Sequence, residues 1–277
     1  MLSRKTQAEI DRLAAHYPDI SRRALRAYLE QYWFAERFLS PLLVDPALPA
    51  GTLLEVGPAE GGALQYFGEQ GWTCYGIELS DARFSHSQQL VQNPDIRFYQ
   101  GDITDSGTYE DYDLPPMDII LLRDVIEHIA DKETALQNCF DLLKPGGKLY
   151  LSFPPKGAPY AGHQQTAESI RAKLPYLHLF PDSWYATFLR RLHLPESRIR
   201  YLLSTKETRL SVSEMLHLAK EAGFTLDRFY PYFSRPEYSF RFGIPVMKNR
   251  FHRIPLLGVL LTNGITAVLE KPVRTIS

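Results

Sequence analysis

Residues 53 to 62 read LLEVGPAEGG, and residues 63 to 71 continue ALQYFGEQG. Leu53, Leu54 and Val56 form a short apolar run that Glu55 interrupts near its end. Gly57, Ala59, Gly61 and Gly62 follow, and then Ala63, Leu64 and Phe67 recur at helical spacing up to the stop at Gly71. The pattern predicts a strand, a tight glycine turn and a helix. Small residues in such a turn remove the Cβ obstacle and let backbone approach a ligand. Three readings of the turn are open. Gly57, Ala59 and Gly62 loosely match a dinucleotide fingerprint, with Glu78 about 20 residues on. Glu55, Gly57, Ala59 and Gly61 match an acidic-x-Gly-x-Gly-x-Gly loop except at the alanine. A turn without a ligand is the third.

The chain has 277 residues, 44% of them hydrophobic, which suffices for one large domain with insertions. Its net charge of −1 gives no global field toward nucleic acid, and no nucleic-acid partner is expected. Cys74 falls in a strand-like run and Cys139 on the apolar face of a helix, so both are expected as reduced core residues. MLSRKTQAEIDRL at the start has no apolar signal core. The run PLLGVLL at 255 to 261 is too short to span a bilayer. A cytoplasmic location is expected, with room for transient contact at a membrane surface.

Two helices are predicted ahead of the loop, at 6 to 17 with Thr6 as cap and at 21 to 39 with Ser21 as cap and Pro41 closing it. Tyr32 or Trp33 on the second could cover a ligand. After the loop, TCYGIEL (73–79), IRFYQGD (96–102), MDIILLRD (117–124) and LKPGGKLYLSFP (143–154) alternate with helical stretches. Such alternation implies a parallel sheet with right-handed crossovers, and ligands bind such sheets at the carboxyl ends of the strands. Glu55, Gly57, Glu78, Asp102 and Asp124 fall at those ends. A carboxylate at position 78 offers two oxygens to the two hydroxyls of a ribose.

From the loop to residue 155, the glycine loop, acidic tip, Gly101-Asp102, Asp124-x-x-Glu127-His128 and Lys144-Pro145-Gly146-Gly147 stand in unbroken order. This stretch resembles class I S-adenosylmethionine-dependent methyltransferases, in particular the ubiquinone and menaquinone methylating subfamily. The resemblance implies an α/β, Rossmann-like fold. It would have a seven-stranded mostly parallel sheet, helices on both faces, an N-terminal helical cap and a helical insertion after the fifth strand. The expected divisions are a cap at 1–46, a cofactor-binding core at 47–154, a substrate-recognition insertion at 155–210 and completion of the sheet at 211–277. LDRFYPYF (226–233) and GITAVLEKP (264–272) would be strands six and seven, the last antiparallel. The implied cofactor is S-adenosyl-L-methionine. Its expected contacts are Glu55, Gly57, Pro58, Ala59, Gly61, Glu78, Leu79, Gly101, Asp102, Ile103, Arg123 and Asp124.

The implied reaction is an in-line displacement on the sulfonium methyl, in which the enzyme mainly supplies positioning. A protonated nucleophile would need a base, and His128 and His163 are the candidates. Asp124, Glu127 and His128 raise the question of a cation, since some relatives with Glu-x-x-Glu-His bind one, but no metal is assigned. Residues 155 to 210 carry nine Lys and Arg against four Asp and Glu, and 234 to 256 carry five against one. The two segments are expected to form a positive rim of Arg190, Arg191, Arg198, Arg200, Arg241 and Arg250. The expected acceptor is a small molecule with an oxygen nucleophile, on an anionic saccharide, lipid or quinone-like compound. An alternative of another class is a sensor or scaffold that binds the cofactor without turnover.

Overall fold

Ile119, Ile120, Leu121 and Leu122 are consecutive, and all four are buried. A continuous apolar run of this kind belongs to a parallel strand covered on both faces. In the computed structural model, which describes residues 4–105, 107, 112, 114–164, 167 and 169–273, they lie in an inner strand of the parallel part, flanked by a parallel neighbour on each side. That part comprises β1 (Thr52–Val56), β2 (Thr73–Glu78), β3 (Ile96–Gln100), β4 (Met117–Arg123) and β5 (Leu143–Phe153). Strand β6 (Thr225–Ser234) pairs with β8 (Gly264–Glu270), and β8 lies antiparallel between β5 and β6. Strand β7 (Met247–Lys248) adds an edge, so the order is β3-β2-β1-β4-β5-β8-β6-β7. The sheet among the described residues thus has eight strands where the sequence predicts seven. The extra strand is two residues long, too short to carry a period-two signal.

Helices α1 (Arg4–His16), α2 (Arg22–Phe34), α3 (Ser40–Leu43) and α4 (Gly62–Glu69) precede α5 (Asp81–Leu90) and α6 (Lys132–Leu142). Helices α7 (Asp182–Arg191) and α8 (Glu196–Glu207) lie in the segment after β5, and α9 (Val212–Glu221) leads into β6. Leu53, Leu121, Cys74 and Tyr150 meet Ala63, Leu64 and Phe67 of α4 and Phe34 of α2 on one face of the sheet. Leu54, Leu122 and Leu149 meet Ala135, Leu136 and Cys139 of α6 and Met215 and Ala219 of α9 on the other. The two cysteines are therefore buried on opposite faces. Helices α7 and α8 bury Tyr185, Ala186, Leu189, Ile199 and Leu202 in a smaller cluster.

The helix ends follow local chemistry. The Ser21 hydroxyl accepts from Ala24 N at 3.2 Å, and Asp131 accepts from Thr134 N at 3.0 Å. Ser211 and Glu214 form a capping box, and Gly223 ends α9 at φ +97°. Helix α1 begins at Arg4, so Thr6 lies inside it. Pro41 does not end the second helical stretch. The chain passes from α2 through a π-helical turn at Ala35–Leu39 into α3, where proline stands at the start of the new helix. Proline cannot bond the preceding turn as a continuous helix would require, and the wider π-helical turn stands just where that bond is missing.

Helix α2 seats on α4. Gln31 accepts from Gly62 N at 2.9 Å, and a Cβ on Gly62 would lie 2.0 Å from the Tyr28 carbonyl oxygen. Gly62→Ala is therefore expected to push α2 off the sheet and cost about 1–3 kcal/mol, read as a lower denaturant midpoint. Unfolding indistinguishable from wild type would contradict this close seat.

Candidate active site

A cavity of about 900 Å³ opens at the carboxyl ends of β1 to β4. Gly57, Ala59, Glu78, Leu79, Gly101, Asp102, Ile103, Arg123 and Asp124, all singled out in the sequence, line it. Glu55, Pro58 and Gly61 shape the loop behind it. Pro58 O accepts from Gly61 N at 2.9 Å, closing the turn. Gly57 and Gly61 have φ of +68° and +79°, and Ala59 adopts +51°. The alanine thus takes the left-handed conformation that glycine reaches without cost, at a penalty of about 1–2 kcal/mol.

Glu78, at the tip of β2, is buried. Its Oε2 accepts from Ala59 N at 3.0 Å and its Oε1 from Ser80 N at 2.9 Å. These bonds fix both oxygens at the cavity wall and leave lone pairs for further donors. Asp102 Oδ1 accepts from the backbone N and the hydroxyl of Thr104, each at 2.9 Å. Glu55 is fully buried, and neither of its oxygens has a hydrogen-bond partner. Arg123 Nη2 stands 3.5 Å from it, an ion-pair distance without hydrogen-bond geometry. Burial pushes the Glu55 carboxyl up to about 7, with Arg123 opposing the rise.

Asp124 follows β4 with φ of +54°. Both its oxygens accept from Arg235 Nη2, at 2.7 and 2.5 Å. Arg235 stands at the tip of β6 and also pairs with Glu237 at 3.1 Å. Burial works against the Arg235 charge, but Asp124 and Glu237 overcome it and hold the guanidinium pKa well above its usual value. Behind this pair, His128 lines the cavity, and its ring meets that of His163 edge-on with centroids 4.8 Å apart. Burial lowers the pKa of both histidines, that of His163 to about 4. Asp124 opposes the shift on His128, while the His128 charge adds to that on His163.

Glu127 is buried with Oε2 unpartnered, and burial first, then Asp124, raises its carboxyl well above the usual range. Ligand atoms of Glu127, His128 and His163 lie within 4.8 Å of one another and could hold a cation. This set differs from the Asp124, Glu127 and His128 group that the sequence suggests. Asp124 is engaged by Arg235, and His163 arrives from the segment after β5.

The side walls escaped sequence reasoning. Ala27, Glu30 and Gln31 of α2 line the cavity, with Glu237 and Arg241 of α10 (Pro236–Phe242) and Tyr201 of α8. Neither Tyr32 nor Trp33 does so. The Tyr32 hydroxyl bonds Glu69 at 2.6 Å, and Trp33 rests on Phe240 with ring centroids 5.4 Å apart. Arg241 grips Glu30 through Nε and Nη2 at 2.6–2.9 Å, tying α10 to α2. Of the six arginines expected in a positive rim, Arg241 alone lines the cavity. Arg190 pairs with Glu196 in the open, and Arg198 stacks on the Tyr201 ring at 5.3 Å. The only legible signal for Glu237 and Arg235 was their place just after a strand end.

A family profile described as "Methyltransferase domain" matches residues 25–228. Phosphoethanolamine N-methyltransferase 2 of Caenorhabditis elegans is 32% identical over 139 residues, 46% of this chain and 31% of that protein. The ubiquinone biosynthesis O-methyltransferase of Pseudomonas entomophila is 27% identical over 109 residues, 38% of this chain and 45% of that one. The chain thus spans less than half the length of these two curated relatives. Among solved structures, a SAM-dependent methyltransferase of Thermotoga maritima superposes with a TM-score of 0.53 at 15% identity, covering 95% of this chain and 99% of that one. The plantazolicin methyltransferase BamL, solved with SAH, gives 0.52 at 13% identity and covers 97% of both chains. At such identity the structures establish a shared fold, and the match over 25–228 establishes more: this chain belongs to the methyltransferase-domain family, with the class I S-adenosylmethionine-dependent fold.

Proposed function

We propose that this protein transfers the methyl group of S-adenosylmethionine to a hydroxyl of a small amphipathic acceptor, a lipid or quinone-like compound. The observation that carries the reading is the cavity at the strand tips, where His128 lies beside the loop and acidic residues expected to hold the cofactor. In this reading Glu78 takes the ribose hydroxyls, Asp102 faces the adenine amine, and the Gly57 to Gly61 turn admits the methionine end. Six carboxylates line the cavity (Glu30, Glu78, Asp102, Asp124, Asp131 and Glu237) against three guanidiniums (Arg83, Arg123 and Arg241). That balance suits a ligand carrying a sulfonium and an ammonium. It favours an acceptor with little charge over an acidic saccharide, because carboxylates outnumber guanidiniums and Arg241 already has Glu30.

The acceptor oxygen attacks the methyl carbon as the carbon–sulfur bond breaks. Its proton passes to His128, which the lowered pKa keeps neutral and able to accept at pH 7. Asp124, whose charge favours the protonated ring, then stabilises the imidazolium. His163 supports the His128 ring from its edge.

Glu78→Ala is expected to weaken S-adenosylmethionine binding by about 1.5–3 kcal/mol in calorimetry. Unchanged affinity would remove Glu78 from the cofactor site. His128→Ala should lower turnover by about 10²–10⁴ with cofactor affinity little changed. If His163→Ala loses turnover while His128→Ala retains it, the two roles are exchanged. A protein that binds the cofactor but methylates no oxygen, nitrogen or carbon acceptor in a panel of small molecules would be a sensor instead, and transfer to nitrogen or carbon alone would overturn the hydroxyl reading. The pH profile follows from the sign of the His128 shift. The ring loses its basic form only on protonation, and its pKa lies below 6.5. Turnover should therefore decline toward acid pH with a midpoint below 6.5; a limb centred above that value would exclude His128 as the base.

A further inference from the structure

Between Glu237 and Glu270 the chain has no acidic residue, while Arg241, Lys248, Arg250 and Arg253 fall within the same stretch. Its bulky apolar residues are turned outward. Phe242, Phe251, Leu256, Leu257 and Val259 are all exposed, Leu256 to 69%. PLLGVLL, the most apolar late run of the sequence, therefore contributes little to the core. Single exposed apolar residues are ordinary, but this many in one segment mark a contact surface.

The segment is held in place by internal bonds. Asn249 is buried, donates to Thr262 Oγ1 at 2.9 Å and accepts from Phe251 N at 2.9 Å. Gly258 is required where it stands, since a Cβ there would lie 2.3 Å from the His252 carbonyl oxygen. The Tyr176 hydroxyl bonds Leu260 O at 2.9 Å, bracing the turn against the segment after β5. Arg241 and Glu237, at its beginning, line the catalytic cavity.

We propose that residues 242 to 259 dock the protein on a membrane surface that bears anionic lipid headgroups. Arg250 and Arg253 are exposed and meet headgroup phosphates, while Phe251, Leu256 and Leu257 enter the acyl boundary. The absence of any carboxylate from this stretch gives the charge complementarity. A second copy adding to the sheet edge fits less well. Strand β7 is two residues long, and Pro245 and Lys248 guard it. Delivery of a lipid acceptor to the adjoining cavity rests on the function proposed above; docking itself does not.

The test is sedimentation of the full chain with vesicles, without cofactor or acceptor. The probes are phosphatidylcholine vesicles and phosphatidylcholine vesicles containing phosphatidylglycerol. Binding is expected to the anionic vesicles at low salt. It should fall about tenfold or more on neutral vesicles, at high salt, or in the double variant Arg250→Ser/Arg253→Ser. Phe251→Ser/Leu256→Ser keeps the charge and should lose binding to a similar extent. All four side chains are exposed, and unchanged thermal unfolding confirms the fold of each variant. Wild-type protein that leaves anionic vesicles unbound, or variants that bind as well as wild type, would overturn the proposal. So would a vesicle-free dimer that both variants abolish, since the surface would then belong to a second copy. Vesicle binding by a protein without transferase activity would overturn the function alone, and transfer without vesicle binding would overturn the docking alone.

Discussion

The ion pair between Asp124 and Arg235 holds the mouth of the cavity together. It joins the tip of β4 to the tip of β6 across β5 and β8, between residues 111 apart in sequence. Asp124 stands in the left-handed conformation at φ +54°, which aspartate tolerates better than most residues, and in it the carboxylate meets Arg235. Space for the guanidinium comes from Gly264, where a Cβ would stand 2.6 Å from Arg235 Cδ. Arg235 is mostly buried while Asp124 is partly open to solvent, and Glu237 shares the guanidinium, so loss of Asp124 would leave Arg235 with one carboxylate instead of two. Glu237 then starts α10 beside the pair, and α10 reaches back through Arg241 to Glu30 of α2. The closing wall of the cavity therefore depends on the geometry at Asp124.

The same site concentrates groups whose burial disfavours their charge. Folded Glu55 keeps its proton up to about pH 7, against 4.5 for the free group. Stability from this difference is fully present below 4.5 and is lost as pH rises through 7. His163 acts in the opposite sense. Its folded pKa of about 4 lies below the free value of 6.5, so its contribution is present above 6.5 and lost as pH falls through 4. Between those limits the two trends oppose each other, and the fold carries both an acid that resists ionising and a base that resists protonation. In the proposed reading a cationic ligand near Glu55 would relieve the first cost, and a proton leaving the acceptor would meet a second group of this kind, His128, already neutral.

How much of this was legible in the sequence depended on range. The glycine turn, the acidic tips at Glu78, Asp102 and Asp124, the capping box at Ser211 and Glu214, and the cap at Asp131 are local patterns, and the structure places each at its strand or helix end. His128 and His163 were each legible as candidates; that their rings touch was not, because they stand 35 positions apart in the chain. Gln31, Glu30 and Glu237 sit among apolar or polar neighbours with no periodicity that sets them apart, and only the fold of α2 and α10 over the strand tips gives them a role. The π-helical turn is invisible because proline ordinarily ends a helix. The arginine rim failed for a physical reason. Net segment charge says which residues are present, while their side chains find carboxylates nearby, as Arg190 does with Glu196 and Arg241 with Glu30.

The cavity divides into two kinds of wall, and the division bears on specificity. The floor is made of strand tips and the glycine turn, held by sheet register and by backbone bonds to Glu78. Such a surface has little freedom to vary, which suits an invariant ligand part such as a nucleoside. The upper walls come from α2, α8 and α10, and α2 and α10 are joined through single side-chain links such as Arg241 with Glu30 and Trp33 with Phe240. Substitution at these positions changes shape and charge around the acceptor without disturbing the sheet. Tyr201 stands in this wall with its ring exposed and Arg198 stacked on it. A flat aromatic carrying a delocalised cation presents one face to an acceptor ring or tail. In the proposed reading the choice of acceptor is set by elements that lie outside the strand tips, so a fold common to many methyltransferases would leave the acceptor to be decided by these walls.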